Sequence, residues 1–354
     1  MKQSLFISFK WKLCLIFLMT ISALTANAQA LSGTYTIGSA SGSNYPTFAK
    51  AVNDLVANGV SGPVTFNVAA GNYNETIRIP FITGASSTNT ITFSGAGLGT
   101  RIYFSLSTSG ASVIYLDSAS YVTIDHMTVE NTNPSSALYT IYPACIGTRQ
   151  DHYTTITNCN IITPISTGTL YNVVGIHLFY SRNATILNCH VSGGLFGIFN
   201  EAYSSSSKIT YGSSLIKNSK FVGAYYNHIY GLGNTYGLSN DVYDGNTYDS
   251  SSSPYISAIQ CSYENGFTIK NNIANGNVSS YLPFEIDYPN YGYSSQPIMI
   301  YNNMIGNFQY QGIYLDAYNT QNINTYILHN TIESLTNTPF TYQACLFGSP
   351  GLAD

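Results

Sequence analysis

Ile156-Thr157-Asn158-Cys159-Asn160-Ile161 returns as Ile186-Leu187-Asn188-Cys189-His190-Val191 and again as Ile216-Lys217-Asn218-Ser219-Lys220-Phe221, one six-residue frame repeated at an interval of thirty residues. The frame drifts but persists. It opens at Ile124, Val242, Ile300 and Ile327, in a copy one residue short at Ile269, and more weakly at Val64 and Ile91. Ten anchors separated on average by about 29 residues mark a repeat architecture. A second register supports the first: a short apolar strand lies ten residues before several anchors, at Ile114, Ile146, Ile176 and Ile259. Where that spacing stretches, at Ile198, Ile286 and Ile313, the excess falls in Ser/Tyr-rich loops such as 203–207.

Each repeat offers strands of three to five residues rich in Ile, Val and Tyr, separated by Asn, Gly and Ser, which tolerate left-handed turns. No helical period lies between them. Parallel strands normally need a helical crossover; a solenoid escapes this by pairing each strand with its equivalent one coil later, about 4.8 Å away. Like then stacks on like. The anchors form internal ladders, and Met127, Cys159, Cys189, Ser219, Gly245, Asn272, Asn303 and Asn330 form a turn column of small or amide side chains able to satisfy buried backbone groups. His126 and His329 occupy the neighbouring turn place that Asn fills elsewhere, a structural role. Cys159 and Cys189 fall one coil apart, and their parallel side chains favour stacked thiols over a disulfide.

Composition agrees with β structure. Only 8% of the residues are charged, against roughly a quarter in an average soluble domain, while 31 tyrosines dominate a 14% aromatic content. Residues 1–28 read as a signal peptide: a basic start (Lys2, Lys10, Lys12), an apolar stretch from Leu13 to Leu24, and Ala26-Asn27-Ala28 before the cleavage point. A secreted protein, extracellular or on the outer cell surface, without a transmembrane segment in the mature chain, is the expectation. Removing the leader leaves 9 basic against 16 acidic residues, a charge of −7, which disfavours a nucleic-acid partner. Residues 29–60 are expected to hold a strand and a capping helix, with Phe48, Val52, Leu55 and Val56 on one face; residues 61–354 form the solenoid. A strand near 345–347 with no cap before Asp354 suggests a chain truncated at its C-terminus.

With its Ile-x-Asn-Asn-x-Ile turns, the sequence resembles the pectate-lyase-like superfamily of right-handed parallel β-helices. Thr47–Val52, the strand Val64-Thr65-Phe66-Asn67-Val68 and the turn Gly71-Asn72-Tyr73-Asn74-Glu75 are similar to the capping helix, first strand and Gly-x-Tyr-x-Glu turn of many members. The resemblance implies an all-β, right-handed parallel β-helix of about ten coils, with substrate in a groove along the outside of one sheet. Members include lyases, hydrolases and esterases of acidic polysaccharides, tailspikes and adhesins, so the fold alone leaves the function open.

The strands of Ile114, Ile146, Ile176, Ile198, Ile229, Ile259, Ile286 and Ile313 are the candidate groove, because side chains alternate. Their outward row reads Tyr115, Gly147, His177, Phe199, Tyr230, Gln260, Asp287 and Tyr314, flanked by Asp117, Arg149, Glu201, Glu285 and Asp316. Tyr115, His177, Phe199, Tyr230 and Tyr314 offer flat faces suited to sugar rings. Glu285, Asp287 and Asp316 converge as a calcium site of oxygen ligands or an acid/base pair for glycan cleavage. Paired aspartates of the polygalacturonase kind, a Gly-His-Gly motif and an Arg-x-Lys near a carboxylate are all missing. Arg149-Gln150-Asp151-His152 brings cation, acid and imidazole together in a turn. The reading is a monomeric protein that binds extracellular polysaccharide through an aromatic groove without a recognisable catalytic set. The alternatives are a polysaccharide lyase or glycoside hydrolase, and a passive adhesin or stalk.

Overall fold

A computed structural model describes residues 29–133, 142–165, 173–202, 211–233, 238–249, 257–280, 282–289, 296–308, 311–316, 324–333 and 344–348. The leader expected over 1–28 and the loop at 203–207 lie outside them. The chain is a parallel β-helix of three long sheets, one of twelve strands and two of ten. The anchor sheet runs from Leu31–Ile37 to Thr325–Leu328, the turn sheet from Gly71–Asn74 to Thr331–Glu333, and the groove sheet from Ile77–Pro80 to Ala344–Gly348. Each strand pairs in parallel with its equivalent one coil away, as the thirty-residue interval requires.

Inside, the ladders are continuous. Phe66, Phe93, Ile124, Ile156, Ile186, Ile216, Tyr243, Ile269, Ile300 and Ile327 stack in register along the anchor sheet. All but Ile327 are essentially free of solvent. Each buried aliphatic or aromatic side chain contributes roughly 2 kcal/mol over its exposed state.

Four anchors differ from those read in sequence. Val64 and Ile91 pair with each other and with Val122, so Phe66 and Phe93 are the true partners of Ile124. Those early strands carry two inward residues, and a period of two makes the frames indistinguishable by apolarity. At the seventh anchor the inward residue is Tyr243, not Val242, because the tyrosine hydroxyl finds a partner in the core. At Ile269 the copy is full length. Ala274 takes the inward place beside bulky Tyr248, and Ile273 turns outward at 43% exposure.

The bends are built by asparagine. His126, Asn158, Asn188, Asn218, Asn271, Asn302 and His329 all adopt φ near +50°, the left-handed turn that Asn and His tolerate better than most residues. The next residue forms the amide column, with Asn246 rather than Gly245 as its member. The backbone N–H of Asn246 donates to Oδ1 of Asn272, that of Asn272 to Asn303, and that of Asn303 to Asn330, each at 2.9–3.0 Å. The Nδ2 groups of Asn246, Asn272, Asn303 and Asn330 donate to the carbonyls of Ile216, Tyr243, Ile269 and Ile300. Earlier in the column, Cys159 and Cys189 are buried free thiols directed at backbone carbonyls.

The N-terminal helix Phe48–Asn58 starts at the N-cap Thr47, whose hydroxyl accepts from Lys50 N–H, and buries Phe48, Ala51, Val52 and Leu55. Val56 faces solvent, and Ala51 completes the stripe instead. The carboxylate of Glu75 accepts from the N–H groups of Phe48 and Ala49, both at 3.0 Å, placing negative charge where the helix dipole favours it.

Candidate active site

The outer face of the groove sheet gathers the candidate residues into two adjacent rows. One row runs Arg78, Tyr115, Gly147, His177, Phe199, Tyr230, Gln260, Glu285, Tyr314. The other runs Asp117, Arg149, Phe179, Glu201, Leu232, Ser262, Asp287, Asp316. Glu285, not Asp287, thus continues the aromatic row. The strand Phe284–Asp287 sits two residues from the expected frame because Phe284, rather than Ile286, stacks between Ile259 and Ile313.

The first part of the face is mixed in charge. Arg78 pairs with Asp117, and Tyr115 hydrogen-bonds Arg149. Beside them opens a cleft of about 430 Å³ lined by Arg78, Phe104, Ser112 and Tyr115.

The centre is aromatic. His177 stacks on Phe199 at 5.2 Å and 12°, and Phe199 on Tyr230 at 5.3 Å and 13°. Tyr142 meets Phe199 edge-on at 5.5 Å. His177 and Phe199 are buried in this cluster, and Nε2 of His177 lies 2.8 Å from Glu201 Oε1, whereas Tyr230 is half-buried.

Acids dominate the last described coils. Glu285 and Asp287 project from one strand; Tyr314 adjoins Glu285 in register, and Asp316 adjoins Asp287. Ser257 Oγ donates to Glu285 Oε2 at 2.8 Å. Asp287 is better supplied: Gln260 Nε2 at 2.9 Å and Ser262 Oγ at 3.1 Å both donate to Oδ2. The carbonyl of Gln260 accepts from Asn227 Nδ2 at 3.1 Å, which fixes the amide so that its NH₂ faces Asp287. Burial, then the neighbouring Asp287 charge, raise the Glu285 pKa to about 7. Asp287 is also raised, chiefly by burial, while its two donors pull it back down. One strand therefore carries a carboxyl group that holds its proton near neutrality and, two residues on, a second carboxyl group whose two donors favour its ionised form.

Sequence reading missed Ser257, Ser262 and Asn227, whose types carry no signal without the register. It also missed Tyr263 and Tyr288, which stack at 5.0 Å one residue beyond Ser262 and Asp287. Both have φ near +50°, as do Ser118, Gln150 and Tyr180 at the same place in earlier coils, so the left-handed conformation belongs to the bend as a whole. The Arg149–His152 cluster does not converge: Arg149 is exposed, whereas Asp151 is fully buried and accepts from Ser181. Among the described residues no group of three or more His, Cys, Asp or Glu side chains forms a metal set, and no helix is long and apolar enough to cross a membrane.

No family model and no curated protein matches the sequence. Solved structures do match in fold. An alginate lyase from Paenibacillus sp. str. FPU-7 is 13% identical, with a TM-score of 0.57 over 88% of this chain and 98% of that one. The Dettilon tailspike protein is 11% identical, with a TM-score of 0.56 over 84% of this chain and 54% of that one. Rice weevil pectin methyl esterase is 14% identical, with a TM-score of 0.52 over 76% and 87%. At such identities the likeness bears on architecture alone, and in architecture the chain is a parallel β-helix.

Proposed function

We propose that this protein is secreted, engages polysaccharide along the outer face of its groove sheet, and cleaves it by hydrolysis at Glu285 and Asp287. The observation that carries the reading is the pairing of these two carboxyl groups on one strand, Glu285 raised to about 7 and Asp287, also raised by burial, held by two donors that favour its ionised form. Glu285 donates its proton to the glycosidic oxygen as the C–O bond breaks. Asp287 accepts a proton from the water that attacks the anomeric carbon. Tyr314, beside Glu285, and the half-buried Tyr230 supply flat faces for sugar rings. The polysaccharide-acting names among the fold neighbours, an alginate lyase and a pectin methyl esterase, point to the same ligand class.

The test is a panel of neutral and acidic polysaccharides, scored for binding and for release of reducing ends and of unsaturated products. Reducing ends without unsaturated product support hydrolysis. Unsaturated product would transfer the site to a lyase mechanism. Binding without either product would leave the face as an adhesive surface.

A further inference from the structure

The core holds a second pair of carboxyl groups that the groove does not use. Asp241, in the strand Leu238–Asp244, and Glu264, just before the strand Asn265–Lys270, are both completely buried. Their carboxyl groups are close enough to interact directly, and the buried Glu264 Oε1 finds no donor from any other described group. The groups around them are donors. Ser214 N–H gives a 2.6 Å hydrogen bond to Asp241 Oδ1, Asn200 Nδ2 a 3.0 Å bond to Oδ2, and the Tyr243 hydroxyl a 3.2 Å bond to Glu264 Oε2. Cys261 also reaches Glu264, and Tyr243 and Cys261 are the other titratable groups facing the pair, both held neutral by burial. Among the described residues no Lys, Arg or His forms an ion pair with either acid. The site is shaped for the glutamate. A Cβ on Gly231 would stand 2.6 Å from Glu264 Oε2 and 3.1 Å from the Tyr243 hydroxyl, so only glycine leaves that oxygen room.

Two bare carboxylates in contact, without a counter-charge, are too costly to bury. An N–H, an amide NH₂ and a hydroxyl aimed at their oxygens suit one negative charge and leave little welcome for a cation. We propose that Asp241 and Glu264 share a proton as a carboxylic acid–carboxylate pair, and that this pair makes the central coils more stable in mild acid than at alkaline pH. Burial raises Asp241 to about 6 and, together with the Asp241 charge, holds Glu264 well above the ordinary range. Because both folded values lie above the unfolded ones, the stabilisation is complete below about pH 4 and is lost as pH climbs through 6 and beyond.

The experiment follows the thermal midpoint of the full chain from pH 4.5 to 8 for the wild type and Glu264→Gln, in a Glu285→Gln/Asp287→Asn background that removes the groove's own titration. The expected midpoint falls by on the order of 5 °C between pH 5 and pH 8 with Glu264 present, and by less than half as much with Gln. An unchanged slope in Glu264→Gln overturns the proposal. So does calcium raising the pH 8 midpoint only when Glu264 is present, which would make the pair a cation site. Should Glu264→Gln not fold, Asp241→Asn in the same background is read in its place, and an unchanged slope there overturns the proposal equally.

Discussion

Asp287 stands in register with Asp316 on the next strand, two carboxyl groups side by side on the outer face of one sheet. Parallel strands lie about 4.8 Å apart, so neither side chain can ionise without meeting the other's charge. Burial is the main reason Asp287 titrates high, and the Asp316 charge adds to it. Replacing Asp316→Asn removes that repulsion and lowers the Asp287 pKa. If Asp287 is the base, the acidic limb of the pH–rate profile moves to lower pH; a limb that moves up would remove Asp287 from that role.

Ser257→Ala acts on the other limb. The serine hydroxyl donates to Glu285 and favours its ionised form, so losing it lifts Glu285 further above its value of about 7. Activity that needs Glu285 protonated then survives to higher pH. The pH–rate profile of the variant reads this directly, and an alkaline limb shifted downward would contradict it.

The aromatic row divides into binding and packing members. Tyr230 and Tyr314 are half-buried, and truncating either to Ala is expected to weaken glycan affinity by roughly tenfold, about 1.4 kcal/mol, with an added stability cost of about 1 kcal/mol for Tyr230, which stacks on Phe199. Phe199 is buried among His177, Tyr142 and Tyr230. Phe199→Ala should cost about 3 kcal/mol of stability in denaturant titration.

The asparagine ladder should be energetically costly to break. Asn272 accepts from Asn246 N–H, donates to the Tyr243 carbonyl and lies wholly inside the bend. Asn272→Ala leaves a buried N–H and a buried carbonyl without partners, and equilibrium unfolding should register a loss of about 3 kcal/mol. An effect below 1 kcal/mol would mean the bend relaxes to water.

Sequence alone revealed the solenoid because an Ile-x-Asn frame closed by an apolar residue recurs every thirty residues at 156, 186 and 216, and like residues must stack when strands pair one coil apart. The capping helix was legible for a related reason, from the apolar spacing after Thr47. Register within the irregular coils was not. Val64 and Phe66 are equally apolar and both point inward, so nothing local separates them. Between Ile259 and Ile286 the loop absorbs a two-residue offset that only the pairing of Ile259 with Phe284 reveals. That offset decided whether Glu285 or Asp287 continued the aromatic row. It also hid Ser257, Gln260 and Ser262 as the donors that set the two acids apart, since a donor is recognised by what it faces. The buried Asp241–Glu264 pair was equally invisible, because in sequence a core acid resembles a surface one.

The most direct test of the account is the release of reducing ends from a bound polysaccharide at pH 6 by the wild type and by Glu285→Gln, with binding measured in parallel. The account predicts a loss of at least a hundredfold in the variant with affinity kept within a few fold, since Gln preserves the shape and the Ser257 contact but has no proton to give. Equal turnover by both proteins, or none by either on any polysaccharide that binds, would contradict it.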